Sequence, residues 1–264
     1  MAKTTLVRKF MDGVLNTLQD ISPPYQRWTE VELVRYINLG QMAIATYLPH
    51  AGSRVDAIKL SQGTRQDLTQ VLAANIKPSD GSTAVDTQGI SLIDVVRFMG
   101  SDGLTPGRVI RRIDQHTKDT NDPDWHTRTA AQPATFMADG SVPKTFYVSP
   151  GVPATPAVWA EVKWMAMPAV VADGGVPGSE VYLASGSSTV LIGVDDQFVD
   201  DLRNYVLALA YMKASKNEGN AARAATHTQQ FTSSINAKAT AVGAVNPKLT
   251  SLPYIEQAGV MAAG

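Results

Sequence analysis

Cysteine is absent from this 264-residue chain. Its absence excludes disulfides, thiolate zinc sites, cysteine-ligated iron–sulfur clusters and a cysteine nucleophile. Excess charge of either sign is missing too: 23 Lys and Arg stand against 24 Asp and Glu, a formal net charge of −1. A protein that grips nucleic acid or an anionic membrane mainly by charge carries a clear basic excess. Long apolar runs are also lacking. The longest stretch free of Asp, Glu, Lys and Arg, Tyr36 to Ser53, contains Asn38, Gln41, Pro49 and His50, too polar and too broken to cross a bilayer. The opening MAKTTLVRKFMDG carries charges at Lys3, Arg8, Lys9 and Asp12, so no apolar signal core follows the start. The expectation is a soluble protein made in a cytoplasm, without a membrane or a targeting signal.

What is present is globular composition, with 44% apolar and 18% charged residues, enough for one large domain or two small ones. Leu6, Phe10, Val14 and Leu18 form one stripe of a first helix, which Pro23 and Pro24 end. Thr29 with Glu32 is a capping box that opens a second helix, whose buried face runs through Leu33, Ile37, Ile44 and Leu48 before Pro49. From about residue 51 to 190 the period changes to that of strands. Val55–Leu60, Arg65–Leu72, Ser91–Met99, Arg108–Ile113, Thr145–Val148 and Val158–Trp164 fit that period, with loops at 78–89 and 168–190.

Helical periodicity returns after Asp195 and Asp196, with Phe198, Leu202, Tyr205, Leu209 and Met212 as its stripe. Gly219 is read as a left-handed cap and Asn220 as the next N-cap, giving a tight turn into a last helix of about 220–238. The fold class is α+β. Residues 1–50 and 191–239 are expected to form a helical bundle, 51–190 an inserted β-rich domain, and 240–264 an extended C-terminal tail.

The chemistry on offer is sparse. The stretch DQHTKDTNDPDWH places Asp114, His116, Asp119, Asp122, Asp124 and His126 close together, residue types that bind hard or borderline metals. Their spacing fits neither H-E-x-x-H nor an EF-hand. Turn chemistry explains the same residues, with a capped turn, an Asx/Pro turn at 121–124, and Trp125 as its anchor. Asp195, Asp196, Asp200 and Asp201 read as first-turn acids of a helix. His50 and His227 stand alone. No nucleophile elbow, P-loop or dinucleotide fingerprint occurs, so no catalytic, cofactor-binding or metal residue is assigned. Arg108, Arg111 and Arg112 with Lys118 form the densest positive patch. These are ordinary solvent-facing strand arginines or a channel or subunit contact.

Six strings in order carry a family likeness: WTEVELVRYINLGQ from Trp28, LSQGTRQ from Leu60, LIDVVR from Leu92, NDPDWH from Asn121, PKTFYVSP from Pro143 and YMKASKNEGNAAR from Tyr211. Together they resemble the bacteriophage head-to-tail adaptor (connector) proteins related to tail tubular protein A of short-tailed phages. The resemblance covers about residues 6–237. It implies a non-enzymatic virion protein made in the bacterial host cytoplasm. Such a protein forms a ring of about twelve copies with the portal protein above and a tail nozzle or tube protein below. The ring closes the filled head and lets DNA pass without sequence-specific binding; no cofactor is implied. Leu249, Leu252, Tyr254 and Ile255, beyond the likeness, are expected to contact a partner, the portal or a neighbouring subunit. Two other readings stay open: a different tail structural protein, and a metal-dependent hydrolase using the Asp/His stretch 114–126.

Overall fold

In a computed structural model, residues 3–20, 27–79, 81, 83–172, 182–183, 189–214 and 218–245 are described. Helices α1 (Val7–Leu18) and α2 (Glu30–Tyr47) come first. Strands β1 (Ser53–Lys59), β2 (Gly63–Asp67), β3 (Ile76–Pro78), β4 (Gly89–Phe98) and β5 (Arg111–Arg112) follow, then the short helix α3 (Gln115–Asn121). Strands β6 (Thr135–Ala138), β7 (Thr145–Val152) and β8 (Trp159–Ala166) precede helices α4 (Val199–Lys213) and α5 (Glu218–Val245). The protein is α+β. It divides into two compact units, residues 1–51 with 168–264, and residues 52–167.

In the first unit α4 packs on α5, α2 and α1. α1 buries Phe10, Val14 and Leu18 as its stripe requires, together with Met11 and Leu15. It ends before the prolines, because Gln19 turns left-handed at φ 60° and its N–H returns to the carbonyls of Leu15 and Asn16. The capping box at the start of α2 is formed in both directions between Thr29 and Glu32.

On α4 the apolar face is rotated from the expected stripe. Leu202, Val206 and Ala210 are buried, while Met212 is 57% exposed. The cause is that α4 is covered from several sides, so its buried arc is wider than one surface stripe. The turn at Gly219 also differs from expectation. Gly219 lies inside α5 and is not left-handed, and Asn220 Nδ2 instead donates to the Ala214 carbonyl at 3.1 Å, capping the end of α4. α5 runs on to Val245, past the expected end near 238, because residues 239–245 (ATAVGAV) contain no proline and sustain the helix.

The second unit is built from two four-stranded sheets, ordered β3-β1-β8-β4 and β2-β7-β6-β5. Their pairings are antiparallel apart from β5 with β6. Ile58, Val95, Val162 and Trp164 share one core with Phe136, Phe146 and Val148. The strand expected at Arg108–Ile113 keeps only two ladder residues, because this segment changes partners midway. Ile110 N–H donates to Val96 of β4, whereas Arg111 and Ile113 N–H groups donate to Ala134 and Phe136. The segment thereby joins an edge of one sheet to an edge of the other. β3 and β6, three and four residues long, are too short to show an alternating pattern.

Candidate interaction surfaces

The Asp/His stretch is structural. Asp114 caps α3 by accepting from Thr117 N–H at 3.0 Å, and that bond holds its carboxyl below the usual carboxylate range. Asp119 accepts from Trp125 Nε1 at 2.7 Å. Asp122 accepts from Lys118 at 2.9 Å and pairs with Arg128 at 3.0 Å, and the Lys118 contact lowers its carboxyl too. Trp125 is buried against Tyr147, 6.1 Å between ring centroids. His116 and His126 are exposed, and the His126 ring stands edge-on to Trp125, 5.6 Å between centroids. Among the described residues no group of three or more His, Asp and Glu side chains converges to hold a metal ion. The acids that gave the stretch its chemical look fasten a short helix to a buried indole.

Arg108, Arg111 and Arg112 are all exposed. Among the described residues none of the three has a side-chain hydrogen bond or ion pair. Beside them Val109 is 65% exposed, and Leu104, on the preceding loop, 67%. That loop is a firm platform. Asp102 accepts from Leu104 N–H at 2.9 Å, Thr105 N–H at 3.1 Å and Thr105 Oγ1 at 2.9 Å. These bonds pull its carboxyl down to about 2. Gly103 has φ 72°, and a Cβ there would stand 2.8 Å from the Trp159 ring, so glycine alone lets the loop lie on the indole. The unit thus presents three unneutralised cations and two bare apolar side chains on an ordered edge.

A second polar system was not recognised in the sequence. Glu30, buried at the start of α2, accepts from Tyr182 N–H and Leu183 N–H, each at 2.9 Å. Asn38 grips Val171 from both sides, Nδ2 to its carbonyl at 2.8 Å and Oδ1 from its N–H at 2.9 Å. Gln41 accepts from Gly193 N–H and donates to the Ala169 carbonyl. Three side chains of one helix therefore hold separate points of the 168–193 segment. The available signal was Gln41, which interrupts the apolar series Ile37–Gln41–Ile44 at a buried position.

On the same unit, Met212 of α4 and Ala221, Ala224, Ala225, Thr228, Gln229 and Thr232 of α5 line a shallow groove of about 650 Å³. Leu39, Met42 and Tyr47 of α2 are also about half exposed. His227 stacks flat on Tyr211, 5.7 Å between centroids, and lies 3.0 Å from Asn204 Oδ1 through Nδ1. Burial pushes His227 and His50 below the usual imidazole value. The expected contact residues Leu249, Leu252, Tyr254 and Ile255 lie outside the described residues.

No described helix is long and apolar enough to cross a membrane. No curated protein matches the chain. Residues 5–248 match the SU10 adaptor protein family, a span that takes in all of the second unit, most of the first and every string on which the likeness to phage adaptors rests. The match covers nearly the whole chain, and the chain belongs to the SU10 adaptor protein family, a family of phage structural adaptors.

Proposed function

We propose that this adaptor forms a closed homo-oligomeric ring of about twelve copies between portal and tail, in the manner of the relatives of tail tubular protein A. The ring closes the DNA-filled head, carries the tail nozzle or tube, and leaves a channel for genome ejection. The observation that carries this reading is the family match over residues 5–248. On this reading the helical residues form a bundle into which the β-rich residues 52–167 are inserted, and the segment beyond α5 contacts a partner through Leu249, Leu252, Tyr254 and Ile255.

The unpaired Arg108, Arg111 and Arg112 support a contact with a neighbouring subunit or with the channel. A net charge of −1 suits a conduit, because a strongly basic lumen would retain a passing polyanion through accumulated phosphate contacts. DNA is let through without sequence readout. The test is complementation. Heads from an adaptor-deficient mutant of the same phage are mixed with the purified protein and challenged with nuclease. Protected DNA and tail attachment are expected. Unprotected DNA with no bound protein would contradict the reading.

A further inference from the structure

The α4–α5 groove has an exposed floor with an unusual character. Met212 is 57% exposed there, and its other walls are alanine and threonine side chains of α5 together with the uncharged Gln229. Across its 28 residues α5 carries only Glu218, Arg223 and Lys238 as charges, and neither Arg223 nor Lys238 lines the groove. Small residues at four-residue spacing, Ala221 and Ala225, Ala224, Thr228 and Thr232, leave room for a second chain segment to lie close. Such a surface asks for an apolar, uncharged occupant.

The sequence after α5 matches that demand. Between Asn246 and Ile255 it carries one charge, Lys248, and four large apolar residues, Leu249, Leu252, Tyr254 and Ile255. Pro247, just past the helix end, favours a change of direction. The lengths agree as well. Thr232 and Ala225 lie 13 and 20 residues before Val245, about 20–30 Å back along the helix. Leu252 and Ile255 lie 7 and 10 residues after it, about 23–33 Å if the chain runs extended. A strand-like return along α5 brings Leu252–Ile255 over Thr232–Ala225.

We infer that in the free subunit the segment Leu252–Ile255 docks into the α4–α5 groove of its own chain. The same apolar residues are thereby covered before assembly and become available to a partner when the segment leaves. This docking is independent of the ring reading, since it concerns the isolated chain.

The absence of cysteine makes disulfide trapping clean in the full-length protein. Ser251→Cys is combined with Thr232→Cys in the groove, or with Ala237→Cys, which lies about 140° around the helix from Thr232. Thr232, in the groove rim, and Ala237 are both exposed, so both double variants are expected to fold, and their melting curves verify it. Ala237 is nearer to Ser251 along the chain, so an undocked segment forms the Ala237 bridge at least as fast. Docking reverses the order. The Thr232 intrachain disulfide is expected to form about tenfold faster under limiting oxidant, with the preference lost on Leu252→Asp. Equal rates, or a faster Ala237 bridge, would overturn the proposal. Interchain dimers in place of intrachain bridges would overturn it as well, assigning the groove to the segment of a second copy.

Discussion

The indole Nε1 of Trp164 donates to the Asp56 carboxylate at 2.8 Å, in the interior of the β-rich unit. Asp56 is 2% exposed, and Arg54 reaches the same carboxylate at 2.6 Å. One carboxylate therefore satisfies a buried indole and a half-buried guanidinium across paired strands β1 and β8. Removing it strands both partners. Asp56→Ala is expected to cost about 3 kcal/mol in chemical denaturation. Asp56→Asn, which keeps an acceptor for the indole, is expected to cost less. Equal and negligible losses would show that the contact contributes nothing.

The hold of α2 on the 168–193 segment is local, so its loss is visible by hydrogen exchange. Gln41→Leu leaves the Gly193 N–H without its acceptor, at about 1–2 kcal/mol. Faster exchange is expected at Gly193, with the amide of Val171, held by Asn38, less affected. Glu30→Ala is expected to release Tyr182 and Leu183 instead. Uniform exchange in all three regions would contradict separate attachment points.

Acid stability has two windows. Asp196 accepts from the N–H and Oγ1 groups of Thr4 and Thr5, which holds its carboxyl at about 2 against an ordinary 3.8. A carboxyl lowered on folding stabilises fully above its unfolded value and loses that contribution as pH falls through the folded one. Asp196→Asn is therefore expected to flatten the melting temperature between pH 3.8 and about 2. His227 and His50 act higher. Burial lowers both, so their contribution to stability is complete above the ordinary 6.5 and is lost as pH falls below it, where the unfolded chain takes up the proton more readily. His227→Gln is expected to reduce the fall in melting temperature between pH 7 and 5, a window set by the ordinary imidazole value. An unchanged slope would contradict a half-buried ring held neutral by its surroundings.

Arg108, Arg111 and Arg112 are exposed, so the triple change to Glu is expected to leave the melting temperature almost unchanged. Attachment to heads, or the salt dependence of ejection, is expected to fall. Sedimentation of the variant with heads checks this. Wild-type attachment and ejection together would remove the arginine edge from the contact surface.

The helices were legible where one face meets one core. Phe10, Val14 and Leu18 were placed by period alone, and Thr29 with Glu32 by cap chemistry. Legibility failed where tertiary partners multiply. Met212 continued the α4 stripe in sequence, yet α4 is packed on several sides and Met212 falls outside its buried arc. Gly219 looked like a stop signal, but the Asn220 side chain caps α4. Among the candidate surfaces, the arginine edge could be read from Arg108, Arg111 and Arg112 in sequence. Its platform could not, because Gly103 and Trp159 meet only after β8 is folded. Glu30, Asn38 and Gln41 stayed hidden because their partners lie 128 to 153 residues away.

The ring itself is tested most directly by electron microscopy of the purified protein bound to portal-bearing heads that lack it. Class averages with a closed ring of about twelve copies under the portal vertex are predicted. Heads whose portals stay bare at saturating protein would contradict the account.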